Sequence, residues 1–216
     1  MKKAFFVLLF GLMISTFCHA QSFNGGILAG AIASQVDGDS YAGYHQLGFT
    51  AGAYINLPIE NHLSMQMELK YSLMGAHSDV KEEEDYGYNH YNLRLHYAEI
   101  PLMLRYDLGY FSVGGRPLDF ISLEAGLSLD FLLKSIESAD FEPEIESTDR
   151  WKFFSVTANG GLHFAITEHL GVGVRMMYSI LPIRINGESP SFWYGHYYNK
   201  VLQAVVTYNI NASHRY

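Results

Sequence analysis

Strict alternation of apolar and polar residues, sustained over run after run, is the feature that most narrows what this chain can fold into. Across residues 63–73 the odd positions are Leu63, Met65, Met67, Leu69, Tyr71 and Leu73, and the even ones are Ser64, Gln66, Glu68, Lys70 and Ser72. A period of two places the two sets on opposite faces of a β-strand. The pattern recurs over residues 47–57, 121–131, 154–166 and 202–210, and over 170–180 except at Met177. Together with 26–34 and 93–106 these runs predict eight strands. Their connections alternate: long near 35–46, 75–91, 134–150 and 182–196, short near 58–61 and 167–169, and intermediate near 107–117.

The polar face identifies the solvent on each side. A water-soluble barrel turns its apolar face inward and carries many Lys and Glu outside. Here the polar positions are mostly Ser, Gly, Thr and Asn, and only 17% of the chain is charged against 49% apolar. Small polar side chains suit the inside of a narrow barrel, and large apolar ones suit lipid. The prediction is therefore all-β: an eight-stranded antiparallel up-and-down transmembrane barrel with long extracellular loops and short periplasmic turns, integral to a bacterial outer membrane. An even strand number and a periplasmic mature N-terminus put the long loops outside the cell.

The N-terminus fits that address. Lys2 and Lys3 precede an apolar run over residues 4–17, and Cys18-His19-Ala20 places small residues at positions minus three and minus one of a cut before Gln21. Residues 1–20 read as a cleaved secretory signal and 21–216 as the barrel domain. The single Cys leaves with the signal, which excludes disulfides, cysteine nucleophiles and thiolate metal sites from the mature chain. Without the two signal lysines, 12 basic residues face 22 acidic ones, a formal charge of -10, which disfavours nucleic acid as a partner. The partners expected instead are outer-membrane lipid and lipopolysaccharide.

One run changes phase. Leu93, Leu95 and Tyr97 are apolar at odd positions, whereas Ala98, Ile100, Leu102, Leu104 and Tyr106 are apolar at even ones. The switch predicts a β-bulge at Tyr97, Ala98 and Glu99, with Pro101 accommodated beside the irregularity.

Several segments resemble the outer-membrane beta-barrel domain family of Bacteroidota, the PorT-like group, on a plan like the OmpA/OmpX barrels. The Gly26-Ile27-Leu28-Ala29-Gly30 and Gly48-Phe49-Thr50-Ala51-Gly52 stretches resemble its first hairpin, and Gln66-Met67-Glu68-Leu69 with Tyr71 and Gly75 its third strand. Tyr97-Ala98-Glu99-Ile100-Pro101-Leu102 is the most specific match, and Arg175-Met176-Met177-Tyr178-Ser179 and Lys200-Val201-Leu202-Gln203 resemble the last two strands. The resemblance implies a membrane barrel. Since some members belong to type IX secretion machinery, it also implies a possible role as an accessory of such a machine, with other secretion proteins as partners.

Strand parity turns Glu68, Glu99, Glu124 and Asp130 inward with Lys70, Arg94, Arg105 and Arg175, four acids against four bases. Such a network can form an ion path or a structural plug, and the bore of eight strands, just wide enough for side chains to fill, favours the plug. The His62-Leu63-Ser64 triplet compares with the His and Ser of outer-membrane lipid A deacylases, but it lies beside a short turn at the predicted periplasmic end, away from surface lipid. The loop at 79–91 gathers Glu82, Glu83, Glu84 and Asp85 among tyrosines and His90 without the spacing of a defined metal motif, and 134–150 is similarly acidic. Both read as solvated faces. Trp151, Phe153, Phe154, Trp193, Tyr194, Tyr197 and Tyr198 read as an aromatic girdle. The sequence predicts neither a catalytic set nor a cofactor.

Overall fold

In the computed structural model, which describes residues 23–38, 43–79, 90–139, 145–146, 148–185 and 196–211, the alternating runs close on themselves. The eight strands are β1 (Asn24–Asp37), β2 (Gln46–Glu60), β3 (Leu63–Asp79), β4 (His90–Val113), β5 (Arg116–Ala139), β6 (Phe154–Ala165), β7 (Leu170–Ser179) and β8 (His196–Asn209). Each pairs antiparallel with the next in sequence. The ring is sealed by β1 against β8, in register from Gly26↔Asn209 to Asp37↔Tyr198. Two-residue pieces at Ile145–Glu146 and Arg184–Ile185 add to β5 and β8, and a short 3-10 turn spans Thr148–Arg150. Closure leaves no edge strand in the wall, which is what a sheet immersed in lipid requires.

Burial follows the predicted inversion. Leu47 is 75% and Leu69 63% exposed, while Glu68 between the lipid-facing Met67 and Leu69 is 1% exposed. Large apolar groups line the outside, and at the level of Glu68 polar ones line the inside. No described helix is long and apolar enough to cross a membrane, and here the crossing is made by strands.

The bulge is not where the phase change placed it. On one side of β4 the ladder is in a single register through this region, Ser72↔Tyr97, Tyr71↔Ala98 and Lys70↔Glu99. On the other, the pairing with β5 shifts between His96↔Lys134 and Tyr97↔Leu132, so the extra residue is Leu133 of β5. From Leu93 to Arg105 β4 keeps one parity. Leu93, Leu95, Tyr97, Glu99, Pro101, Met103 and Arg105 all face inward, and Arg94 and His96 face outward with Ala98 and Ile100. The sequence changes phase because the lumen changes chemistry: polar at one end, apolar at the other. With Ile32, Met74, Leu132, Met177 and Val201, the β4 residues Leu93, Leu95 and Tyr97 form a buried apolar cluster in the lumen, capped by Trp151 and Ile183.

The β4–β5 hairpin overhangs the opposite end. Leu63 opens β3 opposite Tyr106, and Ile121 pairs with Phe164, one residue before β6 ends. Beyond these positions the hairpin continues to a turn at Gly114 and Gly115, whose φ values of +62° and +77° suit a type I′ turn. Tyr110, Phe111 and Val113 on it are 75%, 58% and 68% exposed.

Candidate functional site: a closed lumen

Seven of the eight charged residues expected inside the barrel are there. Glu68, Lys70, Glu99, Arg105, Glu124, Asp130 and Arg175 are all buried. Arg94 is the exception. Because β4 never changes parity, Arg94 lies on the outer face, level with Gly75 of β3 and Ile136 of β5. The interior set is therefore four acids and three bases, not four and four.

They form two groups. In the first, Arg105 Nε and Nη2 donate to Glu124 Oε1 at 2.9 and 2.5 Å, and Arg175 Nε donates to Glu124 Oε2 at 2.7 Å. Arg175 Nη1 and Nη2 reach Glu68 Oε2 and Oε1 at 2.9 and 2.8 Å, and Gln66 Nε2 donates to Glu68 Oε1 at 2.6 Å. Two carboxylates and two guanidiniums close this chain without net charge. In the second group Lys70 Nζ meets Glu99 at 2.9 Å and Gln203 Oε1 at 3.4 Å. Asp130, directly opposite Glu99 in the sheet, accepts from Ser128 at 2.5 Å and from Thr157.

Local sequence makes room for these side chains. A Cβ at Gly161 would lie 2.9 Å from Arg175 Cγ and closer still to the Val174 carbonyl, so only glycine lets Arg175 turn across the bore beside β6. The span itself is decisive: β3 and β7 are four places apart in a ring of eight, and the Arg175–Glu68 pair bridges them. Ion pairs fill one level of the lumen and the apolar cluster fills the level above it.

The other sequence candidates separate. His62 packs its ring against Tyr110 and Tyr106, at centroid distances of 4.3 and 6.5 Å, instead of facing the lumen, and the Ser64 hydroxyl is engaged by Asn56 Nδ2 at 3.1 Å. Trp151 is 6% exposed and belongs to the lumen cap, with the Arg184 guanidinium 5.2 Å from its ring and Tyr197 edge-on at 6.0 Å. Phe153 and Phe154 do face out, both packing against Phe131, and Tyr198 stacks on Tyr178. Trp193, Tyr194 and the acidic residues 82–85 lie outside the described residues. Among the described residues no cluster of three or more His, Cys, Asp or Glu is placed to hold a metal. The apolar cap is not legible from periodicity because leucine in a barrel strand reads as lipid-facing. Its one signal was that Leu93, Leu95 and Tyr97 share parity with inward Glu99 and Arg105.

A closed ring of eight lipid-facing strands around a filled lumen defines a small outer-membrane β-barrel. The sequence profile of the outer membrane protein beta-barrel domain family matches residues 19–184, and the chain belongs to that family. Among solved structures it is similar to Ail, the attachment invasion locus protein of Yersinia pestis, at 14% identity over 88% of this chain and 99% of that one, with a TM-score of 0.50. It is also similar to Neisserial surface protein A, at 13% identity over 86% and 97% of the two chains, with a TM-score of 0.49. At these identities the likeness is one of fold. No curated protein matches the chain.

Proposed function

We propose that this protein is a non-enzymatic, non-conducting barrel of the outer membrane, exported by removal of residues 1–20, with a structural or surface-binding role in the envelope. The observation that carries this reading is the Arg175–Glu68 bridge across the bore, topped by the buried cluster around Leu95 and Trp151. Among the described residues, side chains fill both levels in series, which supports a closed bore with the chemistry available to partners on the barrel's surfaces. The short-turn end, where the mature chain begins, faces the periplasm in this reading, and the other end presents the acidic segments. Engagement of His62 with tyrosines and of Ser64 with Asn56 supports a non-enzymatic role. Insertion of the purified protein into planar bilayers is expected to give no discrete conductance, and the intact mass is expected to begin at Gln21. Reproducible ion-conducting steps would sink the reading.

A second reading, a PorT-like accessory of a type IX secretion machine, is favoured by one feature. The β4–β5 overhang projects past its neighbours with Tyr110, Phe111 and Val113 exposed, a surface suited to a periplasmic partner. Crosslinking in native outer membranes followed by mass spectrometry separates the two. Recovery of secretion components crosslinked through the hairpin supports the accessory role, and recovery of the barrel alone or with lipopolysaccharide supports the autonomous one.

A further inference from the structure

On the outer wall of β4 and β5 the lipid-facing surface changes from apolar to basic within one residue pair. Below it, Ile100, Leu102, Leu104 and Tyr106 on β4 and Leu129 and Phe131 on β5 face the bilayer. Above it stand His96 and Arg94 on β4 and Lys134 on β5. His96 and Lys134 are directly opposed in the ladder, and Arg94 lies two residues from His96 on the same outer face. Tyr71 of β3 completes the patch, its hydroxyl 2.5 Å from His96 Nδ1.

Two structural devices assemble this patch. The first is the unbroken parity of β4, which sends Arg94 and His96 outward. The second is the bulge at Leu133. Without the extra residue Lys134 would share the inward parity of Asp130 and Leu132; with it, Leu133 and Lys134 both face out and Ser135 turns back into the lumen. Bulges commonly re-aim a side chain in this way, and here the result is a lysine beside a histidine and an arginine on a protein whose net charge is -8.

The height of the patch fixes what it meets. Tyr106 sits at the short-turn end of the lipid belt, opposite the first residue of β3. From Tyr106 to His96 is ten steps along β4. At about 3.4 Å per residue and a tilt of about 40°, that is a rise of roughly 26 Å, against an apolar band about 25 Å tall in such barrels. Phe131, Phe153 and Phe154 cluster just below Lys134 as interface aromatics. The basic groups therefore stand at the level of the headgroups, not in hydrocarbon and not in open water.

We propose that Arg94 and Lys134, on either side of His96, form a docking site for the phosphorylated headgroup of an outer-leaflet glycolipid, the lipid A portion of lipopolysaccharide, with its acyl chains laid along the β4–β5 wall. The proposal deepens the envelope reading above and rests on its orientation, with the end bearing this patch in the outer leaflet. Lys134 also contacts Glu146 at 3.4 Å. Both partners are largely exposed, and such pairs are weak enough for a phosphate to compete with them. The Tyr71 hydroxyl on Nδ1 holds the His96 ring in place, and with its Nε2 buried the ring separates the two cations and leaves the headgroup to them.

The test is a titration of the mature barrel in zwitterionic detergent with lipid A, with dephosphorylated lipid A and with inorganic phosphate, read by native mass spectrometry. Each basic group near an anionic membrane surface contributes about 1 kcal/mol. The Arg94→Gln/Lys134→Gln double variant is therefore expected to bind lipid A roughly thirty-fold more weakly, about 2 kcal/mol at 1.4 kcal/mol per tenfold. Dephosphorylated lipid A should bind wild type as weakly as lipid A binds the variant, and Arg150→Gln, which removes a pair with Glu137 elsewhere at the same end, should change nothing. Retained heat-modifiable migration shows that the variant is folded; if it is not, Lys134→Gln alone should still weaken binding about fivefold. Equal binding of lipid A by wild type and variant overturns the proposal, as does equal binding of the phosphorylated and dephosphorylated lipids. Full displacement of lipid A by an equal concentration of inorganic phosphate would reassign the patch as a general anion site. Conductance through the wild-type barrel would defeat the closed-lumen reading without touching this comparison.

Discussion

Arg175 and Glu68 are 107 residues apart in sequence, yet their side chains meet at two points, 2.8 and 2.9 Å, in the middle of the barrel. The strands that carry them are diametrically opposed, so the pair ties together two walls that share no backbone ladder. Glu124 holds the same guanidinium from a third strand at 2.7 Å. The lumen is thereby crosslinked by charge in a chain whose single Cys can form no internal disulfide.

Breaking that bridge from one side is expected to be costly. Glu68→Gln leaves Arg175 buried with only part of its counter-charge, and removing one partner of a buried ion pair typically costs about 3–5 kcal/mol. The midpoint of heat-modified migration in detergent should fall clearly. The Glu68→Gln/Arg175→Met double variant should be less destabilised than the sum of its singles, the signature of direct coupling. A conductance that appears in Glu68→Gln while stability stays at the wild-type level would show that these charges gate a path instead of filling the bore.

The upper level should behave differently. Trp151 is buried against Tyr197 and Arg184 at the rim of the apolar cluster, and truncation of a buried Trp costs about 3–5 kcal/mol. Trp151→Ala is therefore expected to lower stability but to leave the barrel non-conducting, because the ionic level below it remains filled. Bilayer recordings on this variant and on a Trp151→Ala/Glu68→Gln pair would show whether the two levels close the bore in series.

What the sequence reveals here follows from which physical signal dominates. Over residues 63–73 of β3, where every lipid-facing residue is large and apolar and every inward one is polar, period two specifies both the strand and its facing, and across the barrel seven of the interior charges are read correctly. In β4 the same rule misleads, since Leu93 and Leu95 face a dry compartment inside the barrel that is as apolar as lipid. Periodicity reports that two faces differ, not which face is outside. Placing those leucines against lipid entails a bulge on β4 and an inward Arg94. The bulge on β5 had no comparable trace, because Leu132 and Leu133 are both apolar and the extra residue does not disturb the pattern until Lys134.

Cysteine labelling tests that reassignment directly. The single native Cys is Cys18, so a chain beginning at Gln21 provides a cysteine-free background. Leu95→Cys, fully buried in the lumen, should resist a polar maleimide until the barrel is unfolded. Tyr110→Cys, on the overhanging hairpin, should react at once in detergent. In sealed outer-membrane vesicles of native orientation it should be protected until lysis, if that end faces the periplasm. Prompt labelling at Leu95→Cys would return β4 to the phase-switched strand that its sequence suggests.

Two adjacent glycines give a sharper test of the packing around Arg175. A Cβ at Gly160 would have only the Glu124 carbonyl oxygen nearby, at 4.0 Å, and would point to the lipid side; at Gly161 it would press on Arg175 Cγ at 2.9 Å and on the Val174 carbonyl. Glycine within a strand is otherwise a weakness, so Gly160→Ala is expected to be neutral or slightly stabilising. Gly161→Ala should instead cost about 1–3 kcal/mol, the usual range for overpacking a filled interior. Because the displaced atoms belong to the residue that bridges Glu68 and Glu124, the loss should shrink when Gly161→Ala is made in an Arg175→Met background, where the ion pairs are already gone. Thermal midpoints of the four proteins complete the cycle. Equal effects of Gly161→Ala in both backgrounds would mean that the glycine serves only the β6–β7 backbone contact and not the placement of the guanidinium.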